Sequence, residues 1–521
     1  MIEYRVIGGN ATEQTLRVEM TVRTSLFNRT RHIVFFSGHM DALNVISCVT
    51  PRGETPDLLH LYVTDTGAIE GMELRLPRGS YVRLTYTVRL ALSDKHGRQG
   101  YIGDDFLVFR GGQAFLLPLE FFIADSEGFH PETFPPVARE YRFYFETGGR
   151  KSVTPLVRLV NPSWMEIYQL QNNAFVIGNL DRLYGGPGTG SEFEGRLAVY
   201  SAGGVSAGIL SVESVVEGIL GLYRFYENLF GSYPEHLSIV LLPAPDSGAG
   251  QYIMGGAGSS AIAASFNGML LRDWQLLSHR MFHAFFDSAV TNPVFHMPPN
   301  LWVNEGLAVY YENVSLAYLS DELKLILGVD PDRQLAELYA QYLYMVLKYP
   351  DIFYFPLMRE RELINSLVRK EFLHYYAAPI HIMNYARAAG GADGDIHQML
   401  RFSLENKDLQ RGKYIAYEAV VTQLGGRALD FGMRYFNFNT PAVPSLWDLG
   451  AHLPDDETVR QKLSHAEAHM RTWLERGAEF PGPTENGREL FQRLAVDIAG
   501  FSPVLYGLLY AFYNGAADSE T

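Results

Sequence analysis

The sequence predicts a multidomain α+β protein, with an antiparallel β domain first, a mixed α/β domain next and a helical region last. Three observations lead to this prediction. Apolar and polar residues alternate through residues 1 to about 160, which is the period of a half-buried strand. A segment with both helical and strand-like patterns follows. Beyond it, apolar residues recur mainly at the i, i+3, i+4 spacing of helices.

The β domain is predicted from segments that are rich in Val, Thr and Tyr. These segments span 16–25, 32–38, 57–64 and 81–92, and turn signals such as Pro51-Arg52-Gly53 separate them. Strands at this spacing, with no helical pattern between them, favour a sandwich or a barrel over βαβ units.

The middle of the chain contains both helical and strand-like patterns of apolar residues. Ser211 to Phe230 carries a broad apolar stripe that predicts a helix, and Gly231 follows as its C-cap. Residues 238–245 form a short continuous apolar run, as in a buried strand. A Gly-rich loop is expected from Gly248 to Gly258, followed by a second apolar run at 261–265.

The remainder is predicted to be mostly helical. Helical spacing is found at 336–347, 363–378, 396–404, 418–424, 458–475 and 488–498. These patterns divide the chain into an N-terminal β domain at 1–165, a second domain with a helical lobe at 166–440 and a C-terminal helical region at 441–521.

Composition excludes several classes of function. The 521 residues contain 58 acids against 43 Lys and Arg, a net charge of −15, which argues against a nucleic-acid partner. The apolar tract at 501–513 is too short for a membrane span. The single cysteine, Cys48, excludes an internal disulfide. With no basic stretch leading into an apolar core at the N-terminus, we expect a cytoplasmic protein. Its oligomeric state is not predicted.

The most informative stretch carries two histidines and an acid. His279 and His283 are four residues apart in an apolar-periodic segment, so both imidazoles leave the same face of a helix. This spacing is typical of the first two ligands of a helix-borne zinc site. Glu305, 22 residues beyond His283 and after a Pro-rich loop at 297–300, is the candidate third ligand.

A family resemblance follows from these residues and from Leu301-Trp302-Val303-Asn304-Glu305-Gly306. Together they resemble the thermolysin-like zinc peptidases called gluzincins. The segment Val82 to Leu117, the junction at 228–234 and the loop at 255–259 further resemble the glycyl-aminopeptidase branch. The similarity is collinear from about 80 to 440. It implies a thermolysin-like domain over 166–440, a zinc ion held by His279, His283 and Glu305, and peptides as ligands.

The resemblance also implies a substrate-binding loop and an oxyanion-stabilising tyrosine. Gly255, Gly256, Ala257 and Gly258 match the loop, but Gly258 replaces the acid that holds a substrate's amino terminus, and Ser replaces His at 259. Tyr376 matches the tyrosine, with Tyr375 as the alternative, although Ala378-Pro379 replaces the usual Lys-Gly.

The largest departure from the family is Arg280. The zinc-peptidase pattern is His-Glu-x-x-His, in which the glutamate acts as general base. A guanidinium is always protonated and has no acceptor, so Arg280 stands at the general-base position without being able to act as a base. A cation beside a metal site needs an anionic partner or must reach solvent. We expect Arg280 to contact a carboxylate, with Asp287, Glu305 and Glu312 as the candidates and Glu305 the least favoured.

Three functional hypotheses remain open at this point. The favoured one is a zinc metallopeptidase homologue that keeps the metal and a peptide-binding cleft but lacks the base, and is therefore catalytically impaired or a pseudoenzyme. The first alternative is an active zinc aminopeptidase with an atypical base. The second is a structural or interaction protein in which the two histidines and Glu305 form a fossil site without metal.

Overall fold

A computed structural model provides the coordinates of the chain. It describes residues 1–24, 31–36, 43–53, 58–63, 65, 69–76, 78–90, 93–94, 97–98, 100–118, 140–153, 157–186, 188–202, 210–243, 253–258, 260–290, 293–296, 300–331, 334–335, 338, 342, 367–382, 488, 491–492, 495, 499 and 503–514. The helices predicted at 396–404, 418–424 and 458–475 lie outside these residues, as does Ser259. Those at 336–347 and 488–498 lie largely outside them.

The chain forms two compact units. The first contains Met1–Pro293 and Tyr318–Leu327, and the second contains Val294–Ala317 and Gly328–Thr521. The first unit holds the described strands and the second is helical where it is described. The domain boundaries at 165 and 440 stay a prediction.

The N-terminal region is built from short strands, as predicted. Their bounds are β1 Ile2–Asn10, β2 Thr15–Arg23, β3 Arg31–Phe36, β4 Leu43–Val49, β5 Leu59–Val63, β6 Ile69–Leu76, β7 Tyr81–Arg89, β8 Ser93–Asp94, β9 Gly97–Arg98, β10 Gly100–Ile102, β11 Phe106–Arg110, β12 Leu117–Pro118, β13 Glu140–Phe145, β14 Lys151–Val153, β15 Arg158–Val160 and β16 Ala174–Gly178.

These strands form several sheets. A six-stranded sheet has the order β15-β13-β1-β2-β7-β4, and two four-stranded sheets have the orders β12-β3-β6-β5 and β10-β11-β16-β14, with β8 and β9 as a separate ribbon. Pairing is antiparallel throughout these sheets except between β1 and β13, which run parallel. Burial alternates along β2, as the period-2 pattern predicted.

A mixed sheet carries the middle of the chain. Its strands are β17 Leu180–Tyr184, β18 Leu197–Ala202, β19 Leu237–Leu242, β20 Ile253–Gly255 and β21 Ser260–Ser265, in the order β17-β18-β19-β21-β20. The central three strands are parallel and the outer two antiparallel. All residues of β19 and β21 are buried, as expected for strands covered on both faces. The strand β20 lies inside the stretch that the sequence predicted to be loop up to Gly258.

The first unit contains five described helices, two of which are capped by local sequence signals. The five helices are α1 Gly111–Ala114, α2 Trp164–Asn172, α3 Val212–Phe230, α4 Leu271–Ala289 and α6 Asp321–Leu327. The helix between α4 and α6 in the sequence, α5 Leu301–Val314, belongs to the second unit. Ser163 and Glu166 form a capping box at the start of α2. The helix α3 starts after the N-cap Ser211 and ends at Gly231 in the left-handed conformation, φ +62°, which confirms the predicted C-cap.

The second unit contains the helices α5 Leu301–Val314, α7 Leu367–Phe372 and α8 Pro503–Asn514. A π-helical turn, Leu373–Ala377, continues α7, where the sequence predicted one uninterrupted helix. Two short 3₁₀ turns, Pro293–His296 and Ser315–Tyr318, flank α5. Among the helices that the structure describes, none has the length and apolar content needed to cross a bilayer.

Candidate metal centre

The helix α4 is fixed by aromatic packing on one side. Phe230 at the end of α3 contacts Phe282 and Phe286 of α4, with ring centroids 5.6 and 6.3 Å apart. The hydroxyls of Tyr226 and Ser278 are 2.7 Å apart at the buried interface of α3 and α4. This packing sets the rotation of α4 about its axis, and therefore the direction in which its remaining side chains point.

His279 and His283 lie together on α4. Their Nε2 atoms are 3.1 Å apart, and their rings meet edge-on with centroids 4.7 Å apart. Both residues are buried, with 4% and 8% of their surface exposed. The i, i+4 spacing thus places two ring nitrogens at one point beside the helix.

Glu305 lies in the first half of α5 and is half-buried. The residue after it, Gly306, has no room for a side chain. A Cβ atom there would lie 2.6 Å from Cδ1 of Ile382 and 2.9 Å from Cβ of Ala378. The glycine therefore allows α5 to pack closely against the segment that follows the π turn, which fixes the position of Glu305 within its unit.

The three predicted ligands form a compatible donor set. One ligand atom from each of His279, His283 and Glu305 lies within 4.8 Å of the others. Two imidazole nitrogens bound to one tetrahedral zinc ion at about 2.0–2.1 Å are about 3.3 Å apart, close to the 3.1 Å between the two Nε2 atoms. Two imidazoles and a carboxylate are also a ligand set that zinc takes in proteins. The residues therefore fit a zinc ion.

Arg280 is half-buried beside these histidines. Within the described part of the chain its guanidinium forms no hydrogen bond and no ion pair. The predicted carboxylate contact is thus wrong for the described residues. Asp287 and Glu312 are 2% and 5% exposed, whereas the half-buried arginine reaches water, and a hydrated guanidinium requires no anion.

The glycine loop predicted to bind substrate packs on α4. Gly255, Gly256 and Gly258 all have positive φ values, +91°, +87° and +62°, which glycine adopts without strain. A Cβ atom at Gly256 would overlap the carbonyl oxygen of Arg280 and lie 3.2 Å from the Arg280 Cβ. The loop therefore runs against the turn of α4 that follows His279.

Comparisons with known proteins show the fold. No family model matches the chain, and no curated protein matches it. The aminopeptidase N family protein from Idiomarina loihiensis has a similar structure, with a TM-score of 0.58 at 12% identity over 86% of this chain and 78% of that one.

The M1 zinc metallopeptidase from Deinococcus radiodurans has a TM-score of 0.49 at 17% identity, over 87% of this chain and 95% of that one. Yeast LTA4 hydrolase has a TM-score of 0.48 at 12% identity, over 99% of this chain and 82% of that one. The fold class predicted from the sequence is confirmed by the aminopeptidase N family structure. The chain has a gluzincin-like fold.

In this gluzincin-like fold, the candidate oxyanion tyrosines lie on the π turn. Tyr375 and Tyr376 are both half-buried, and Tyr376 stacks on Phe372 with ring centroids 5.9 Å apart. A π turn adds a residue to the helical repeat and so changes the direction of consecutive side chains, and such turns are frequent at functional sites. Tyr376 stays a prediction, with Tyr375 as the alternative.

Two residues that the sequence did not single out hold the glycine loop. The buried Asn173 accepts a hydrogen bond at its Oδ1 from the backbone N–H of Ala257, at 3.4 Å. The side-chain amide of Gln169 fills the space where a Cβ of Gly258 would stand. Both residues precede the loop by more than 80 positions, and no motif in a single sequence links them to it.

Proposed function

We propose that this chain is a zinc-binding peptidase homologue that binds peptides and hydrolyses them very slowly or not at all. The observation that carries the proposal is the grouping of ligand atoms from His279, His283 and Glu305 within 4.8 Å, with an arginine directly after the first histidine. Zinc held by these residues would act as a Lewis acid on the carbonyl of a bound peptide.

The chain's own residues then have distinct roles in the proposal. The two imidazoles and the Glu305 carboxylate hold the ion. Gly255, Gly256, Ala257 and Gly258 form a backbone rim along which a peptide lies. Tyr376, or Tyr375 next to it, donates a hydrogen bond to the carbonyl oxygen as negative charge develops on it. Arg280 takes the place of the base and can accept no proton.

The missing base sets the expected rate. Loss of a general base lowers a rate by about 10²–10⁴-fold, and by more where no other group substitutes for it. We therefore expect little or no peptide hydrolysis from the unmodified chain, even when zinc is bound.

The fossil site is the second candidate, because one observation favours it. A separation of 3.1 Å between the two Nε2 atoms also suits a hydrogen bond between two neutral imidazoles, with one nitrogen donating and the other accepting. In that case His279 and His283 stabilise α4 and need no metal.

Hydrolysis of a set of fluorogenic aminoacyl and peptide substrates by the zinc-saturated chain tests the proposal. The expected result is no turnover above that of the His283→Ala variant prepared in the same way, which controls for contaminating peptidases. Robust turnover that His283→Ala removes would instead establish an active enzyme with an atypical base. Failure to bind zinc at all would favour the fossil site.

A further inference from the structure

The six-stranded sheet of the N-terminal region has one face that is rich in arginine. Side chains alternate between the two faces of a strand, and the register of β1, β2, β7, β13 and β15 places their charged residues on the same face. The arginines of that face are Arg5, Arg17, Arg23, Arg83, Arg89, Arg142 and Arg158. The same strands carry three glutamates. A chain with a net charge of −15 therefore presents a basic surface on this sheet.

Five of these arginines are paired with glutamates in or next to the same strands. The Oε1 of Glu140 lies 2.9 Å from the Nε of Arg142 and 2.8 Å from the Nε of Arg158. The other three pairs, with N–O distances of 3.1 to 3.6 Å, are Arg23–Glu3, Arg83–Glu19 and Arg5–Glu146. The side chains of these five arginines are 38–59% exposed. The face thus binds carboxylates repeatedly, in contact with water.

Arg17 and Arg89 are the two arginines of this face without such a partner. Both are exposed, and neither forms an ion pair or a side-chain hydrogen bond within the described residues. The register of β2 and β7 pairs Arg17 with Thr87. Arg89 pairs with Thr15, two residues before Arg17, so the two arginines are diagonal neighbours about 7–8 Å apart. Two adjacent positive charges therefore face solvent together.

Neutral side chains that can donate hydrogen bonds flank this arginine pair. Thr15 and Thr87 project from the same face, each opposite one of the arginines. Asn44 of β4 pairs with Thr87 from the other side and is exposed. A hydroxyl and a side-chain amide can each donate to an anion. The surroundings of the pair are therefore suited to bind negative charge.

We propose that Arg17 and Arg89 form a binding site for the carboxylates of an acidic peptide segment of a partner protein. The glutamates already paired on this face indicate that carboxylates fit between its arginines, and a guanidinium can bind a carboxylate through two parallel hydrogen bonds. Alternate side chains of an extended peptide are about 6.8 Å apart, close to the separation of the two arginines. One acidic residue of the peptide can therefore bind to each arginine.

A short acidic segment suits this surface better than a nucleic acid or an anionic membrane does. The Debye length at physiological salt is about 8 Å, so a ligand confined to the arginine pair interacts mainly with this face. A longer polyanion would extend over the rest of a chain whose net charge is −15, and it would be repelled there. The inference does not depend on zinc or on the proposed metal site.

The experiment measures binding of fluorescein-labelled hexaglutamate to the full chain by fluorescence anisotropy at low and high salt. An exposed ion pair contributes up to about five-fold in affinity, so Arg17→Gln and Arg89→Gln should each weaken binding by about two- to five-fold. The double variant should weaken it by about ten-fold. Arg75→Gln is the matched control, because Arg75 is an exposed strand arginine, also without an ion pair among the described residues, in the sheet of β3 and β6. Its affinity should equal that of the unmodified chain.

Binding of hexaglutamate that weakens with salt and with loss of the two arginines supports the inference. Absence of binding, an affinity that the double variant leaves unchanged, or an equal loss in Arg75→Gln overturns it. Tighter binding of an oligothymidylate or of phosphatidylserine vesicles through the same two arginines also overturns it, because the site would then select phosphate groups over an acidic peptide.

Discussion

Replacing Arg280 by glutamate reverses the charge directly beside the proposed zinc ligands. Arg280 follows His279 by one residue, about 100° around the helix, and it is half-buried. Its carbonyl group and Cβ pack against Gly256, and glutamate keeps both. The substitution should therefore change the electrostatics of the site while leaving the loop and α4 in place.

The magnitude can be worked from this placement. A unit charge about 6–10 Å from a divalent ion contributes about 3–5 kcal/mol at an effective dielectric of about 20, and partial exposure of the side chain reduces this further. Arg280→Glu removes a repulsion and adds an attraction, so zinc should bind at least about 100-fold more tightly. Arg280→Gln removes only the repulsion and should give a smaller gain.

Isothermal titration of zinc is the assay, with Arg272→Glu as the matched control. Arg272 is an exposed residue of the same helix, eight positions and about 12 Å from Arg280 along the axis. At an ionic strength of about 0.15 M, that separation exceeds the Debye length of about 8 Å. The control should leave the zinc affinity nearly unchanged. Equal affinities of Arg280→Glu and the unmodified chain would refute the electrostatic reasoning.

Two further predictions concern stability. Gly256→Ala should lower the free energy of unfolding by at least about 2 kcal/mol more than Gly148→Ala does. Both glycines have positive φ, but only a Cβ at 256 would meet the Arg280 carbonyl. Urea unfolding followed by circular dichroism measures both variants, and equal losses of stability would contradict the close packing at Gly256. Burial lowers the pKa of His381 to about 4, below the value of about 6.5 in the unfolded chain. Between these two pH values the unfolded chain binds more protons than the folded one, so the free energy of unfolding falls as the pH drops from about 6.5 to about 4. His381→Phe should flatten that part of the pH dependence of the urea midpoint, and an unchanged slope would show that His381 is not its source.

Local patterns were sufficient to predict several elements. The apolar stripe of α3 and its terminal Gly231 act within a few residues of chain, and the structure has both. The continuous apolar run of β19 likewise predicted a strand buried on both faces. The spacing of His279 and His283 fixed their common direction, because helix geometry alone decides it.

Features that depend on distant or subtle contacts were missed. Nothing near Gln169 in the sequence indicates that its amide fills the space beside Gly258, 89 positions later. The π turn at 373–377 has no composition signal and was predicted as ordinary helix. For Arg280 the sequence left two possibilities, an anionic partner or solvent, and we favoured the carboxylate on charge alone; among the described residues the half-buried side chain has no such partner, and water satisfies its guanidinium. Zinc, the role of Tyr376 and a cytoplasmic location stay predictions.

The central claim is that His279, His283 and Glu305 hold one zinc ion. The most direct test is elemental analysis of zinc after equilibrium dialysis of the unmodified chain, His283→Ala and Glu305→Gln, with the exposed His236 replaced by alanine as control. We expect one zinc per chain in the unmodified protein and in His236→Ala, and far less than one in both ligand variants. A zinc content that is negligible in the unmodified chain, or that the ligand variants leave unchanged, would contradict the claim.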